Sequence, residues 1–283
     1  MRIDRRSCPG HRDGRYGRGH RSHDPRPPDL ARGIHGSRRG RRGHGAAHLS
    51  AQVSGAPRLL EVRRLGRVDY SAAHSLQEEL VAARVAGTIG DTLVLCEHEP
   101  VVTVGRGAGP EVAAGVGMEV IETERGGEAT YHGPGQVVIY PIIALPEGQR
   151  DLHRYLRDLE EVVISVLAEF EIVGRRVDGL TGVWVGEKKI ASVGVAVRRW
   201  VAWHGLAINV HTRLEAFNGF QPCGLAPETM TRLADLAELP PGNMLVEVLV
   251  VKHFIRIFGF DLPPPAGRSE AQSGWPELPL FPV

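Results

Sequence analysis

The sequence is poor in cysteine and in lysine, and it has no long apolar run. Three cysteines in 283 residues, Cys8, Cys96 and Cys223, are odd in number and far apart. That excludes a disulfide framework and fits a reducing compartment. No run of 18 or more apolar residues occurs, so no membrane-spanning helix is expected. The apolar core region of a secretory signal is missing from the start of the chain, and the expected location is cytoplasmic. His98, His132, His204 and His211 with Cys223 show no paired ligand spacing such as C-x-x-C or H-x-x-x-H, so no metal is expected among them. Lysine is limited to Lys188, Lys189 and Lys252, which makes each one informative.

The formal net charge of +1 hides an asymmetry. Residues 1–57 hold 13 Arg and 4 Asp, a net of +9, whereas the rest holds 21 basic and 29 acidic residues, a net of −8. The first segment is made of Gly, Arg, His and Pro with almost no aliphatic residues. It cannot bury enough apolar surface to offset its ordering entropy. Residues 1–57 are therefore read as a disordered Arg/Gly-rich extension. Tyr16 is its only aromatic residue, so the stacking platforms of a single-strand nucleic-acid binder are lacking. Residues 58–260 are expected to form the catalytic domain and 261–283 a Pro-rich tail.

From Arg58 the texture changes. The pattern predicts strands over 59–63, 92–96, 101–104, 118–123 and 136–143, and successive strands over 182–210 with a turn at Gly186-Glu187. It predicts helices over 69–86, capped by Asp69, over 151–170 and over 244–258, closed by Gly259. In the second helix Leu152, Leu156, Leu159, Val163, Val166 and Phe170 are expected to face a core. Strands outnumber helices and are often adjacent, so a mixed-sheet α+β fold is expected, not a doubly wound parallel one.

Three segments could carry chemistry. Residues 125–136 read RGGEATYHGPGQ. Glycines there let backbone approach a ligand, or else they mark a hairpin loop with a surface histidine. Lys188 and Lys189 alternate in a strand and so point to opposite faces. Either one enters a cleft or the pair marks a solvated hairpin tip. Cys223 lies between Pro222 and Gly224, hence on a turn, where a thiol is more accessible than in a core. It is either reactive or an inert turn residue. Cys96 ends an apolar strand and is expected to be packed. The run Gly105-Arg106-Gly107-Ala108-Gly109 suggests a dinucleotide fingerprint, but Pro110 stands where the third glycine is needed.

Taken together, R-G-G-x-x-T-Y-H-G-P-G-Q at 125–136, K-K-I-A-S-x-G at 188–194, H-G-L-A-x-N-V at 204–210 and P-C-G-L at 222–225 resemble the octanoyl-acyl-carrier-protein:protein octanoyltransferases, the lipoate-biosynthesis protein B family. The resemblance runs from about Leu59 to Leu239. Val138-Ile139 before Tyr140-Pro141 departs from it where a glycine is common.

The resemblance implies the α+β fold of biotin and lipoate protein ligases, a mixed sheet flanked by helices. It implies Cys223 as the acyl-accepting cysteine and Lys189 as the lysine that favours its thiolate. It implies substrate binding by Arg125, Gly126, Gly127, Glu128, Ala129, Thr130, Tyr131 and His132, by Ser192, Val193 and Gly194, and by Gly205, Leu206 and Ala207. No cofactor is expected. The implied partners are octanoyl-acyl-carrier protein, the lipoyl domains of 2-oxoacid dehydrogenase E2 subunits and the glycine-cleavage H protein. The chain is expected to be monomeric, without membrane or nucleic-acid partners.

The chemistry is coherent with those roles. A cysteine thiolate attacking a thioester is nearly balanced in energy, so ATP is not needed. Backbone N–H groups around Cys223 and Gly224 are candidates for oxyanion donors. Two other readings compete: an ATP-dependent lipoate or biotin ligase on the same fold, and a non-catalytic lipoyl-domain or RNA-binding protein. The Pro-Cys-Gly turn argues against the first, and the joint presence of Cys223 and Lys189 against the second.

Overall fold

A computed structural model describes residues 57–264. Apart from residues 57 and 261–264, the extension expected over 1–57 and the tail expected over 261–283 lie outside the described residues, as does Cys8. In chain order the elements are β1 (Leu60–Val68), α1 (Tyr70–Ala86), β2 (Asp91–His98), β3 (Val101–Val104), β4 (Glu119–Glu122), β5 (Ala129–His132), β6 (Gln136–Ala144), α2 (Leu152–Ala168), β7 (Val183–Val185), β8 (Lys188–Arg198), β9 (Val201–Asn209) and α3 (Asn243–Phe258).

The strands form two sheets. The larger has the order β1-β2-β6-β9-β8-β7, and the smaller β4-β3-β5. β1 pairs with β2, and β3 with β4, in parallel; the remaining pairs are antiparallel. This is the expected mixed-sheet α+β architecture. Alternation along β6 divides the core between two faces. Val137 and Ile139 pack with Leu159, Val163 and Phe254 under α2 and α3. Val138 and Tyr140 pack with Ala73, Leu80 and Val81 of α1 on the opposite face. A third cluster, with Val102, Ala129, Tyr131 and Phe217, belongs to the small sheet.

Helix ends follow local chemistry. The Asp69 carboxylate accepts from the Ser71 N–H at the start of α1, satisfying one of the free donors there. α3 ends as expected at Gly259, whose φ of 67° suits a residue without Cβ.

Two expectations are corrected. Ala129–His132 is a strand, β5, paired with β3 at Thr130–Thr103, and His132 is buried. The surface-histidine reading of that stretch is therefore overturned; its glycines flank the strand and do not dissolve it. Leu152 is 39% exposed, not part of the core. It is the first residue of α2 and precedes the point where the helix meets the sheet. Tyr155, Val162 and Leu167 complete the buried stripe instead.

Candidate active site

The Lys189 and Cys223 segments meet because the chain after β9 is tied back onto the sheet. The Thr231 N–H donates to the Lys189 carbonyl at 2.9 Å. The Asn209 amide donates to the Thr231 carbonyl at 3.0 Å. A buried network extends this tie to the small sheet. Gln136 Nε2 donates to the Tyr131 carbonyl at 3.1 Å and to Asn209 Oδ1 at 2.9 Å. Its Oε1 accepts from His132 Nδ1 at 2.8 Å. The closing Gln of the first motif and the Asn of the third are thus the fasteners between β5, β6, β9 and the segment that carries Cys223.

Cys223 occupies a single 3-10 turn, Pro222–Gly224, with φ 53°. A non-glycine residue in this region costs roughly 1–3 kcal/mol, which marks the turn as held by its surroundings. The thiol is partly exposed, and its Sγ lies 3.9 Å from Ser192 Oγ. Both residues line one cleft.

Of the expected site residues, that cleft gathers Arg125, Gly127, Thr130, His132, Ser192, Val193, Gly194, Gly205, Leu206, Ala207 and Cys223. Gly126, Glu128, Ala129, Tyr131 and Lys189 are not in its wall. Tyr131 turns into the small-sheet core, with its ring 5.5 Å from that of Phe217. The wall also holds Tyr70, Val138, Tyr140 and His204, which the sequence reading left out. Tyr140 and Val138 had a signal: they are alternate residues of one strand, on the face of β6 that meets α1. Tyr70 had none beyond its place in the first turn of α1.

Lys189 is 2% exposed, whereas Lys188 is exposed, as alternation requires. A register shift in the β7–β8 pairing, from Val183–Ala191 to Trp184–Lys189, leaves Ile190 as an extra residue. Ile190 and Ala191 both join the core under α2 and α3. The bulge therefore slips the alternation by one, so that Lys189 and Ser192, three residues apart, fall on the same side of β8. Lys189 Nζ lies 5.1 Å from the centre of the Trp184 ring, a cation–π distance. Gly182 makes room for it: a Cβ there would stand 2.7 Å from Lys189 Cε.

Arg125 is buried and crosses behind the cleft. Its Nη2 donates to the Thr103 carbonyl and to Thr103 Oγ1 at 2.8 and 2.9 Å, while its Nε has no acceptor among the described residues. Burial lowers its pKa, opposed by the attraction of Cys223. The turn's own donors are mostly engaged. Gly224 N–H donates to the Gln221 carbonyl at 3.2 Å and Leu225 N–H to that of Pro222 at 3.0 Å. The expectation of an oxyanion donor at Gly224 is therefore corrected, and Arg125 Nε is a donor in the wall left without an acceptor among the described residues.

Cys96, as expected, is fully buried, and burial pushes its thiol well above the usual range. It stays a protonated core residue.

His132 is lowered to about 3, by burial first and then by neighbouring His98. It is thus neutral in the fold, and its bond to Gln136 Oε1 fixes the proton on Nδ1. The unfolded chain has an ordinary histidine near 6.5. Below that pH the unfolded state binds more protons, so stability falls as pH drops from about 6.5 towards about 3. The expected slope from His132 is about 1.4 kcal/mol per pH unit. Urea midpoints at pH 7.5 and pH 5 check this: His132→Gln should lose less stability on acidification than the wild type, and parallel profiles would refute it.

The profile of the lipoyl protein ligase A/B catalytic domain matches residues 69–255. The chain belongs to this family. Its relatives include an octanoyltransferase of Rubrobacter xylanophilus, 51% identical over 212 residues, which span 71% of this chain and 94% of the relative. That of Solibacter usitatus is 43% identical over 217 residues, spanning 74% and 98%. Among solved structures, lipoate-protein ligase A bound with ATP aligns with a TM-score of 0.58 at 16% identity, over 75% of this chain and 90% of that one. The bipartite lipoate protein ligase of Thermoplasma acidophilum aligns at 0.58 and 18%, over 74% and 88%. At those identities the likeness is one of fold. The relatives of 43–51% identity place the chain in the octanoyltransferase branch of the family.

Proposed function

We propose that this chain transfers an octanoyl group from octanoyl-acyl-carrier protein, through a thioester on Cys223, to the ε-amine of a lysine on a lipoyl domain. The reading rests above all on one observation: Cys223, on a turn at positive φ, opens into the same cleft as residues of the other three motif segments. The finer assignments are part of the same proposal. Residues 58–260 are the catalytic body, the chain works in the cytoplasm as a monomer, and its acceptors are E2 lipoyl domains and the glycine-cleavage H protein.

The steps balance without a cofactor. The Cys223 thiolate attacks the donor thioester, and the carrier thiolate leaves, taking a proton from the Lys189 ammonium. The acceptor amine then attacks the Cys223 thioester and gives its proton to the now neutral Lys189. Cys223 leaves as thiolate, and the starting pair is restored. The charge that develops on the carbonyl oxygen in both steps needs a preorganised donor, and Arg125 Nε supplies one. The apolar wall of Val138, Leu206 and Ala207 suits an acyl chain, each buried CH₂ contributing about 0.8 kcal/mol.

The test is incubation with octanoyl-acyl-carrier protein and apo-H protein without ATP. Octanoylation of the H protein supports the transferase. A strict need for ATP and free octanoate would instead establish the ligase reading.

The described core lies within residues 60–260. Deleting residues 1–57 is therefore expected to leave the melting temperature within about 2 °C and activity within twofold, since no residue of the described core is lost. A scanning melt and a transfer assay check this, and a large loss in either would show that the segment packs or binds substrate.

A further inference from the structure

Three side chains from distant parts of the sequence converge beside the cleft. His74 comes from α1, Glu124 from the segment between β4 and β5, and His204 from β9. His74 Nε2 lies 3.1 Å from Glu124 Oε2, and His204 Nε2 lies 3.6 Å from the same oxygen. The three ligand atoms all fall within 4.8 Å of one another. Zinc bound tetrahedrally at 2.0–2.1 Å holds its ligand atoms about 3.3–3.4 Å apart, between the two carboxylate–imidazole distances seen here.

His204 itself points to a missing partner. Its side chain is 2% exposed, yet among the described residues neither ring nitrogen makes a hydrogen bond. A buried polar atom left unpaired costs about 1–3 kcal/mol. The backbone adds to this: φ at His204 is 54°. By alternation His204 belongs with Ala202 and Leu206 in the core under α2 and α3. The positive φ turns it to the other side, where it stacks on Trp203 with ring centres 4.2 Å apart and faces His74 at 5.8 Å. The sheet thus departs from its regular course to bring an imidazole to this cluster. Glu78, one turn along α1, lies 3.9 Å from His74 Nδ1, where a carboxylate orients a ligating imidazole. Glu124 is half exposed, which gives an ion a way in.

We propose that His74 Nε2, Glu124 Oε2 and His204 Nε2 form a three-ligand site for a divalent transition-metal ion of the zinc type, with the fourth position open. Two imidazoles and one carboxylate suit zinc or cobalt and suit magnesium or calcium poorly. A bound ion joins α1 to β9 and to the segment just before Arg125. Because Arg125 and His204 both line the cleft, metal occupancy stiffens one wall of it. The site stands on these contacts alone and does not depend on the reaction proposed above.

The test is a titration of the full-length, reduced protein with Co²⁺, followed by displacement with Zn²⁺. The expected result is the visible spectrum of tetrahedral cobalt with nitrogen and oxygen ligands, without thiolate charge transfer, at one ion per chain. His74→Ala and Glu124→Gln should each lose this spectrum and weaken binding by at least about 100-fold, and Glu78→Gln should weaken it by about 10-fold. Comparison with the variants subtracts ions held by histidines elsewhere among the 13 in the chain. Glu124→Gln keeps the size and polarity of a half-exposed side chain, so it reports on ligation without unfolding; Zn²⁺ should raise the melting temperature of the wild type and not of this variant. A spectrum unchanged by either ligand substitution, a thiolate band pointing to Cys223, or the absence of any tetrahedral signal overturns the site.

Discussion

Cys223→Ser is expected to lower octanoyl transfer by roughly 10³-fold or more, while Cys96→Ser continues to turn over. The difference follows from position and from chemistry. Cys223 is partly exposed on a turn beside Ser192 and near the Arg125 charge. An alkoxide in its place is far harder to form than a thiolate, and a serine ester is a poorer acyl donor to an amine than a thioester. Cys96 is sealed between β1 and β6, with its Sγ 3.6 Å from His98 Nε2. A hydroxyl there costs about 1–3 kcal/mol of stability, and Cys96 itself lies behind Val138 and Tyr140 and does not open into the cleft. Intact mass after exposure to octanoyl-carrier protein without acceptor separates the two. Wild type and Cys96→Ser should gain one octanoyl group that hydroxylamine removes, and Cys223→Ser should gain none. Near-normal transfer by Cys223→Ser would end the thioester mechanism.

What the sequence could convey was whatever has a local period or a local turn. The helix over 69–86 with its Asp69 cap, the strand pair around Gly186-Glu187 and the stop at Gly259 all rest on neighbours a few residues apart, and the structure has them in place. The buried side of the Lys188–Lys189 pair was legible for the same reason. What failed did so where tertiary pairing outweighed local composition. Ala129–His132 is flanked by glycines and yet is a strand, because β3 supplies its hydrogen bonds. The bulge at Ile190 and the positive φ at His204 each break a period of two. No pattern in the sequence announces either break, although the first sets the side of β8 that Lys189 takes and the second brings His204 to the cleft wall. The His74, Glu124 and His204 cluster was illegible for another reason: its members are 50 and 80 residues apart, so no motif spacing exists to be read.

Lys189→Ala is expected to lower transfer by about 10²–10⁴-fold, the usual contribution of a positioned proton-transfer group. Lys188→Ala should be close to silent, because its side chain is exposed. The structural grounds are specific. Among the described residues Lys189 Nζ has no carboxylate partner; it is 2% exposed and faces the Trp184 ring, with Gly182 leaving it space. An ammonium so placed is not there to form a surface ion pair. Two readouts separate its roles from simple destabilisation. Alkylation of Cys223 by iodoacetamide near neutral pH reports thiolate content and should slow in Lys189→Ala, while Lys188→Ala matches the wild type. Single-turnover transfer from pre-octanoylated enzyme to the H protein reports the second half alone. There the rate for Lys189→Ala should rise with pH towards the range where the acceptor amine loses its proton unaided. A variant that merely packed badly would show a lower melting temperature with unchanged alkylation and an unchanged pH profile. If Lys189→Ala alkylates like the wild type and keeps its pH profile, Lys189 has no part in the proton transfers, and Arg125 is left as the charge that holds the Cys223 thiolate.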